Sequence, residues 1–226
     1  MKIAVMQPYF FPYIGYFQLI NYADAFVNLD HVSFMKSSYM TRNKLRNDTP
    51  INIGVLNGSQ NRSCIEVYID KNDYLLRKFR RKLEINYGNS LFYKTVLEEV
   101  ILPWMEFIES EDGISISRAN VFSIKLIMKY LNINTEFIDS SLGLTHNKSA
   151  QGQIDIVKHF EGDVYVNPVG GKVLYSKEFF EKSGLELRFL EMNQNAIENA
   201  NLSILHHLFV CEKEHIAMTL NNFKLI

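Results

Sequence analysis

The stretch that most constrains this chain is residues 3–20, where Ile3-Ala4-Val5-Met6 runs into Gln7-Pro8-Tyr9-Phe10-Phe11-Pro12-Tyr13-Ile14-Gly15-Tyr16-Phe17. A short apolar run that meets two prolines reads as a buried strand with an abrupt end. Proline lacks an amide proton, but its fixed φ suits the first turn of a helix. Pro12 is therefore expected to be the first helical residue, with Gly15 in that turn and Phe17, Leu19 and Ile20 in the core. A strand that breaks into a helix N-terminus is where α/β folds hold ligands, because the unpaired amides there attract anions. Tyr9, Tyr13 and Tyr16 are poor core filler, since each hydroxyl needs a partner when buried.

The run from Met6 to Phe17 closely resembles the opening of the WbqC-like family, proteins encoded among bacterial surface-polysaccharide (O-antigen, lipopolysaccharide) genes. Asp30-His31-Val32-Ser33-Phe34-Met35-Lys36, Arg42-Asn43-Lys44, Tyr165-Val166-Asn167-Pro168-Val169-Gly170-Gly171 with Tyr175, and Leu202-Ser203-Ile204 fit the same family in the same order. The resemblance covers essentially the whole chain. A more distant one concerns nucleotidyltransferases of the pantothenate-synthetase type, in which a first strand leads into a helix bearing His-Ile-Gly-His. Tyr13-Ile14-Gly15-Tyr16 is similar to that motif and keeps its glycine. Its phenols, with an ordinary pKa of about 10, cannot stabilise phosphate charge as imidazolium does. What this likeness implies is binding of a nucleotide or phosphorylated sugar more than adenylyl transfer.

A chain of 226 residues with 47% apolar and 22% charged side chains is long enough for one sizeable core. The net charge of −1 gives no electrostatic case for nucleic acid or an anionic membrane. Cys64 and Cys211 are too few for a disulfide framework or zinc ribbon, and free thiols in a reducing compartment are expected. With no apolar stretch of spanning length and no leader-like segment, a cytoplasmic protein without a membrane span is expected.

Strand-then-helix alternation predicts one α/β domain over residues 1–226, with a mainly parallel, Rossmann-like sheet flanked by helices. Ala25–Asp30, Thr135–Asp139, Val164–Pro168 and Leu185–Leu190 are the further strands. Residues 32–70 are an elaboration, with Val32–Met35 as a short strand and 51–56 pairing with 64–69 as a hairpin. Residues 72–132 are helical. There, Leu75, Leu76, Phe79, Leu83 and Ile85 form a stripe, Ser90 caps a helix that Pro103 kinks, and Ser115 or Ser117 starts the next. Asn120 on that helix either meets a neighbouring backbone or faces the site. His206 and His207, about 100° apart on a helix, are no simple metal pair.

Carboxyl ends of parallel strands form the ligand rim of an open α/β sheet. Asp30 and His31 end the second strand and are candidate catalytic bases, with His146 a third option before a later helix. Lys36, Arg42 and Asn43 could hold a phosphate or carboxylate. Ser141 follows the third strand. Asn167, Gly170, Gly171 and Tyr175 follow the fourth, where the glycines let backbone approach a ligand. Gln7, Pro8, Tyr9, Tyr13, Gly15 and Tyr16 complete the substrate-binding set. Neither a Walker A loop, a serine-hydrolase elbow nor familiar metal-ligand spacing is present, so no metal or cofactor is expected.

Aromatic faces beside amides and a carboxylate suit sugars and nucleobases. Together with the family likeness, this points to a transferase acting on a nucleotide-linked sugar, with N-acyl or aminoacyl transfer to an amino sugar as the reaction. A non-catalytic nucleotide-sugar or partner-binding protein, and a nucleotidyltransferase with an altered motif, are the alternatives. The expected partners are a nucleotide-linked sugar and an acyl or aminoacyl donor, with self-association left open. All of these readings require the tyrosine bend and the diglycine bend to meet around one cleft.

Overall fold

Alternating side chains of β1 (Lys2–Met6) bury Ile3 and Val5 on one face of a sheet and Ala4 on the other, as in a strand covered on both sides. The computed structural model describes residues 1–139 and 149–226. After the proline bend come α1 (Ile14–Tyr22) and β2 (Ala25–Asn28). Two small antiparallel hairpins follow, β3 (Arg42–Lys44) with β4 (Pro50–Asn52), and β5 (Val55–Leu56) with β6 (Tyr68–Ile69). The helical part holds α2 (Asp73–Tyr87), α3 (Tyr93–Val96), a π turn at Leu97–Ile101, α4 (Leu102–Ser110) and α5 (Ile116–Tyr130). Alternation then resumes with β7 (Glu136–Ile138), α6 (Ala150–His159), β8 (Val164–Pro168), α7 (Lys177–Lys182) and β9 (Glu186–Met192). The last elements are α8 (Ile204–Val210), α9 (Lys213–Thr219) and β10 (Phe223–Leu225).

The six-stranded sheet has the order β10-β9-β8-β1-β2-β7, parallel throughout except for β10 against β9. From β1 the chain first builds towards β2 and β7, then returns to the other side of β1 with β8 and β9. The strand order therefore reverses between β1 and β8, and the crevice beyond their carboxyl ends is where open α/β sheets take ligands. On one face, Ile3, Val5, Ala25, Val27, Leu187 and Phe189 pack with Ile154 and Val157 of α6 and Phe180 of α7. On the other, Ala4, Phe26 and Val166 join the larger core built with α1 and the helical part. The mainly parallel α/β architecture is the one expected from the sequence.

Local expectations differ in places. α1 begins at Ile14 with Tyr13 as its N-cap, so Pro12 lies outside it and its carbonyl accepts from Ile204 N at 2.8 Å. The hairpin expected over 51–56 and 64–69 is split. Ile51 pairs with Asn43, and only Val55 and Leu56 pair with Ile69 and Tyr68. The chain changes partners at Gly54, which lies so close to α2 that an added Cβ would meet Leu75 Cδ1 at 2.5 Å. Val32–Met35 supplies one bridge, Ser33 to Ser63, and no strand.

In α2 the buried stripe is Leu76, Phe79, Leu83, Asn86 and Tyr87, and Ile85 is exposed because the 3.6-residue period carries it off that face. Ser90 does not cap a helix. It closes a turn onto the Tyr87 carbonyl at 2.7 Å, and Phe92 holds the cap position. The irregularity expected at Pro103 lies just upstream, in the π turn. A proline at 103 cannot donate to the carbonyl of residue 99 and crowds it. Ser115 caps α5, accepting from Arg118 N at 3.2 Å.

Candidate functional site

The bend after β1 is held by its carbonyls. Prolines remove two of its amide donors, so the segment cannot satisfy itself, and buried groups from distant elements bond to it instead. Tyr16 Oη donates to the Gln7 carbonyl at 2.9 Å. Asn120 Nδ2, fully buried on α5, donates to the carbonyls of Pro8 at 3.0 Å and Met40 at 2.9 Å. Asn43 Nδ2 donates to Phe11 O at 2.7 Å and Phe10 O at 3.3 Å, and Ser203 Oγ donates to Phe11 O at 2.8 Å. Phe11 is held at φ +40°, a left-handed conformation that ordinarily disfavours a bulky side chain by about 1–2 kcal/mol. Phe10 and Phe11 turn inward onto Phe79 and Trp104, with ring centroids 5.0–5.8 Å apart. Tyr9 and Tyr13 are left facing outward.

They face a cavity of about 400 Å³ at the reversal between β1 and β8, lined by Gln7, Tyr9, Tyr13, Leu29, Tyr39, Gln153, Tyr165, Asn167, Gly170, Gly171, Leu174 and Tyr175, with Val5, Met6 and Pro168 at its base. The tyrosine bend and the diglycine bend therefore share one cleft. On the diglycine side, Asn167 Nδ2 donates to Tyr165 Oη at 2.9 Å, and Tyr165 donates to Gln153 Oε1 at 3.3 Å. Tyr165 stacks on Phe180 at 5.3 Å and meets the edge of Tyr175 at 5.7 Å. Gly171 lets the backbone pass close to Asn167: a Cβ there would stand 3.0 Å from that side chain, which would have to give way.

Among the described residues, no carboxylate, imidazole or cationic side chain lines this central cavity. Burial, with neighbouring phenols adding to it, raises Tyr9, Tyr13 and Tyr165 above the ordinary tyrosine value, and burial alone raises Tyr175. At neutral pH these hydroxyls keep their protons and act as hydrogen-bonding groups, not as bases.

Two further cavities adjoin it. One, of about 550 Å³, shares Tyr13, Pro168 and Gly170 and adds Gly15, Glu191, Asn193, Gln194, Asn195 and Lys224. The other, of about 650 Å³, shares Tyr39 and contains Arg42, Asn43 and Lys44 of the first hairpin.

The residues expected at the site divide accordingly. Gln7, Tyr9, Tyr13, Asn167, Gly170, Gly171 and Tyr175 line the central cavity, and Gly15 lines its neighbour. Pro8, Tyr16 and Asn43 lie beneath or behind, engaged with the backbone of the bend. Arg42 lies past Tyr39, and Lys36 is exposed outside these cavities.

Asp30 and His31 are not brought into the cleft. Leu29 faces it, while Asp30 lines a separate cavity with Ser117, Arg118, Lys125 and Asp139, its carboxylate 3.5 Å from His31 Nε2. Ser141 and His146 lie outside the described residues. Tyr39, Gln153, Glu191 and Lys224 were not legible as site residues. Only Gln153 carried a signal, as a polar residue in the apolar stripe of Ile154, Ile156 and Val157.

No described helix is long and apolar enough to cross a membrane. No solved structure matches the chain, so the likeness to nucleotidyltransferases gains no support. The uncharacterized protein Rv1507c of Mycobacterium tuberculosis is 25% identical over 146 residues, which cover 62% of this chain and 60% of that protein's length. The model of the WbqC-like protein family matches residues 7–218, from the tyrosine bend through the diglycine bend to α9, and the chain belongs to that family.

Proposed function

We propose that the protein binds a nucleotide-linked sugar in the cleft between β1 and β8, and that it is an N-acyl or aminoacyl transferase acting on surface-glycan precursors. The observation that carries this reading is the chemistry of the central cavity: neutral amides and phenols around aromatic faces, at the strand-order reversal, with no charged side chain among the described lining residues. Tyrosine rings pack on the apolar faces of a sugar or base, and Gln7, Gln153 and Asn167 read hydroxyls. A volume of about 400 Å³ holds part of a nucleotide sugar, and the remainder extends past Tyr13 towards Lys224. The resemblance to proteins of surface-polysaccharide gene clusters supports the same substrate class.

An uncharged, partly desolvated cavity also suits an amine nucleophile. Burial lowers an ammonium pKa, so more of the amine is neutral and able to attack without a protein base. The amine nitrogen attacks the acyl carbon of an activated ester or thioester and an amide bond forms. The bond to the carrier breaks, and the proton lost by nitrogen leaves with the departing oxygen or sulfur.

A second reading, binding without turnover, is favoured by the lack of a base among the described lining residues. Calorimetry with nucleotide sugars, with and without a free amine, followed by mass spectrometry after adding acyl thioesters, tests both. Binding plus a mass gain on the amino sugar supports the transferase. Binding without any mass gain leaves the non-catalytic reading, and no binding overturns both.

A further inference from the structure

We infer that the cavity beyond Tyr39 seats a second, phosphate-bearing substrate, separate from the nucleotide-linked sugar. The inference rests on the reading of the central cleft given above. Four cavities differ in the charge of their linings. Among the described residues the central one has none, Glu191 offsets Lys224 in its neighbour, and Asp30 and Asp139 offset Arg118 and Lys125 in the fourth. Among the described residues, the cavity beyond Tyr39 contains Arg42 and Lys44 and no carboxylate. Lys44 is already paired with Asp48 at 2.9 Å, whereas Arg42 makes no ion pair among the described residues. Arg42 is exposed on β3, and its planar fork is the side chain best matched to phosphate oxygens. Ser38, Thr41, Asn52 and Asn201 add neutral hydrogen-bonding groups around it.

The place is fixed as well as charged. Asn43, next to Arg42, is bonded to the bend, and Ser203 N donates to the Lys44 carbonyl at 2.8 Å. Tyr39 lines both cavities, and its carbonyl accepts from Phe10 N at 2.8 Å. Ligands in the two cavities would therefore meet at one ring whose backbone is tied to the bend. With about 650 Å³, the site has room for a phosphate-bearing acyl carrier of coenzyme size. Charge complementarity favours an anionic ligand on this side, while the diphosphate of the nucleotide-linked sugar is placed past Tyr13, beside Lys224.

Calorimetry on the full chain, with coenzyme A and ADP as phosphate-bearing probes and a UDP-amino sugar as the other ligand, tests the assignment. The expected result is that coenzyme A binds equally well with the UDP-amino sugar present. Arg42→Ala should weaken coenzyme A by about tenfold or more, the scale of one charged hydrogen bond. Asn52→Asp, which adds a carboxylate to the lining at an exposed position, should weaken it too, and Arg42→Lys should restore part of the loss. Both alanine and aspartate variants should leave UDP-amino sugar affinity within about twofold. Displacement of coenzyme A by the sugar nucleotide, an unchanged affinity in Arg42→Ala, or no binding of either probe overturns the inference. Arg42-dependent coenzyme A binding without any nucleotide-sugar binding would instead sink the reading of the central cleft and leave this site standing.

Discussion

The two sides of the cleft are built on opposite plans. On the tyrosine side, the carbonyls of Gln7, Pro8, Phe10, Phe11 and Pro12 are each bonded to a group from elsewhere in the fold, and Phe11 is held at an unfavourable φ. On the diglycine side, Val173 and Leu174 stand exposed, and the ordered contact is a short chain of side-chain bonds from Asn167 through Tyr165 to Gln153. A site built this way has one surface whose shape is set by the core and another that can adjust to its ligand. Hydrogen exchange should therefore protect the Phe10 amide, bonded to the Tyr39 carbonyl, far more than the amides of residues 169–175.

The largest break in this contrast is expected from Asn120→Ala. It removes both bonds from Asn120 Nδ2 and strands the buried carbonyls of Pro8 and Met40, and the loss in urea denaturation should be roughly 4 kcal/mol. Acid is the next strongest. His206 and His207 lie buried on α8, directly after the Ser203 that holds Phe11. Burial, with His206 beside it, lowers His207 from 6.5 to about 4, and burial, with Arg46 beside it, lowers His206.

The unfolded chain therefore takes up these protons first. Stability is complete above pH 6.5 and falls between pH 6.5 and 4, by about 3 kcal/mol for His207 alone. Denaturation series across that range check this, and His207→Phe should flatten the slope. Gly171→Ala should displace Asn167, with a loss of about 1–2 kcal/mol in the same assay and several-fold weaker nucleotide-sugar binding. The smallest effect belongs to Gly170→Ala. No atom lies within 4 Å of its added Cβ, so its stability should stay within about 0.5 kcal/mol of the parent.

The parallel strands and the bend were legible because periodicity and proline act locally. The partners of the bend were not, since Asn43, Asn120 and Ser203 come from three distant segments and look like ordinary polar residues. Asp30 shows the limit most plainly. The second strand, expected to end at Asp30, ends at Asn28, and Leu29 faces the cleft, so the Asp30 side chain belongs to a different cavity. Tyr39 gave no signal because contacts from other segments, among them the bond from Phe10 N to its carbonyl and that from Asn120 to the Met40 carbonyl, bring it over the cleft. Gly54 shifted a hairpin for a similar reason, through contact with a helix far along the chain.

The π turn at Leu97–Ile101 lets the helical part act on the tyrosine bend from behind. Such a turn holds one residue more than α-helical winding requires. Deleting one residue there would rewind the segment and rotate everything downstream by about 100°. Trp104 would then swing off Phe10 and Phe11 and lose the bond from its indole nitrogen to the Ala119 carbonyl at 2.9 Å. The aim of the outward tyrosines thus depends on a single surplus residue in a helix behind the core.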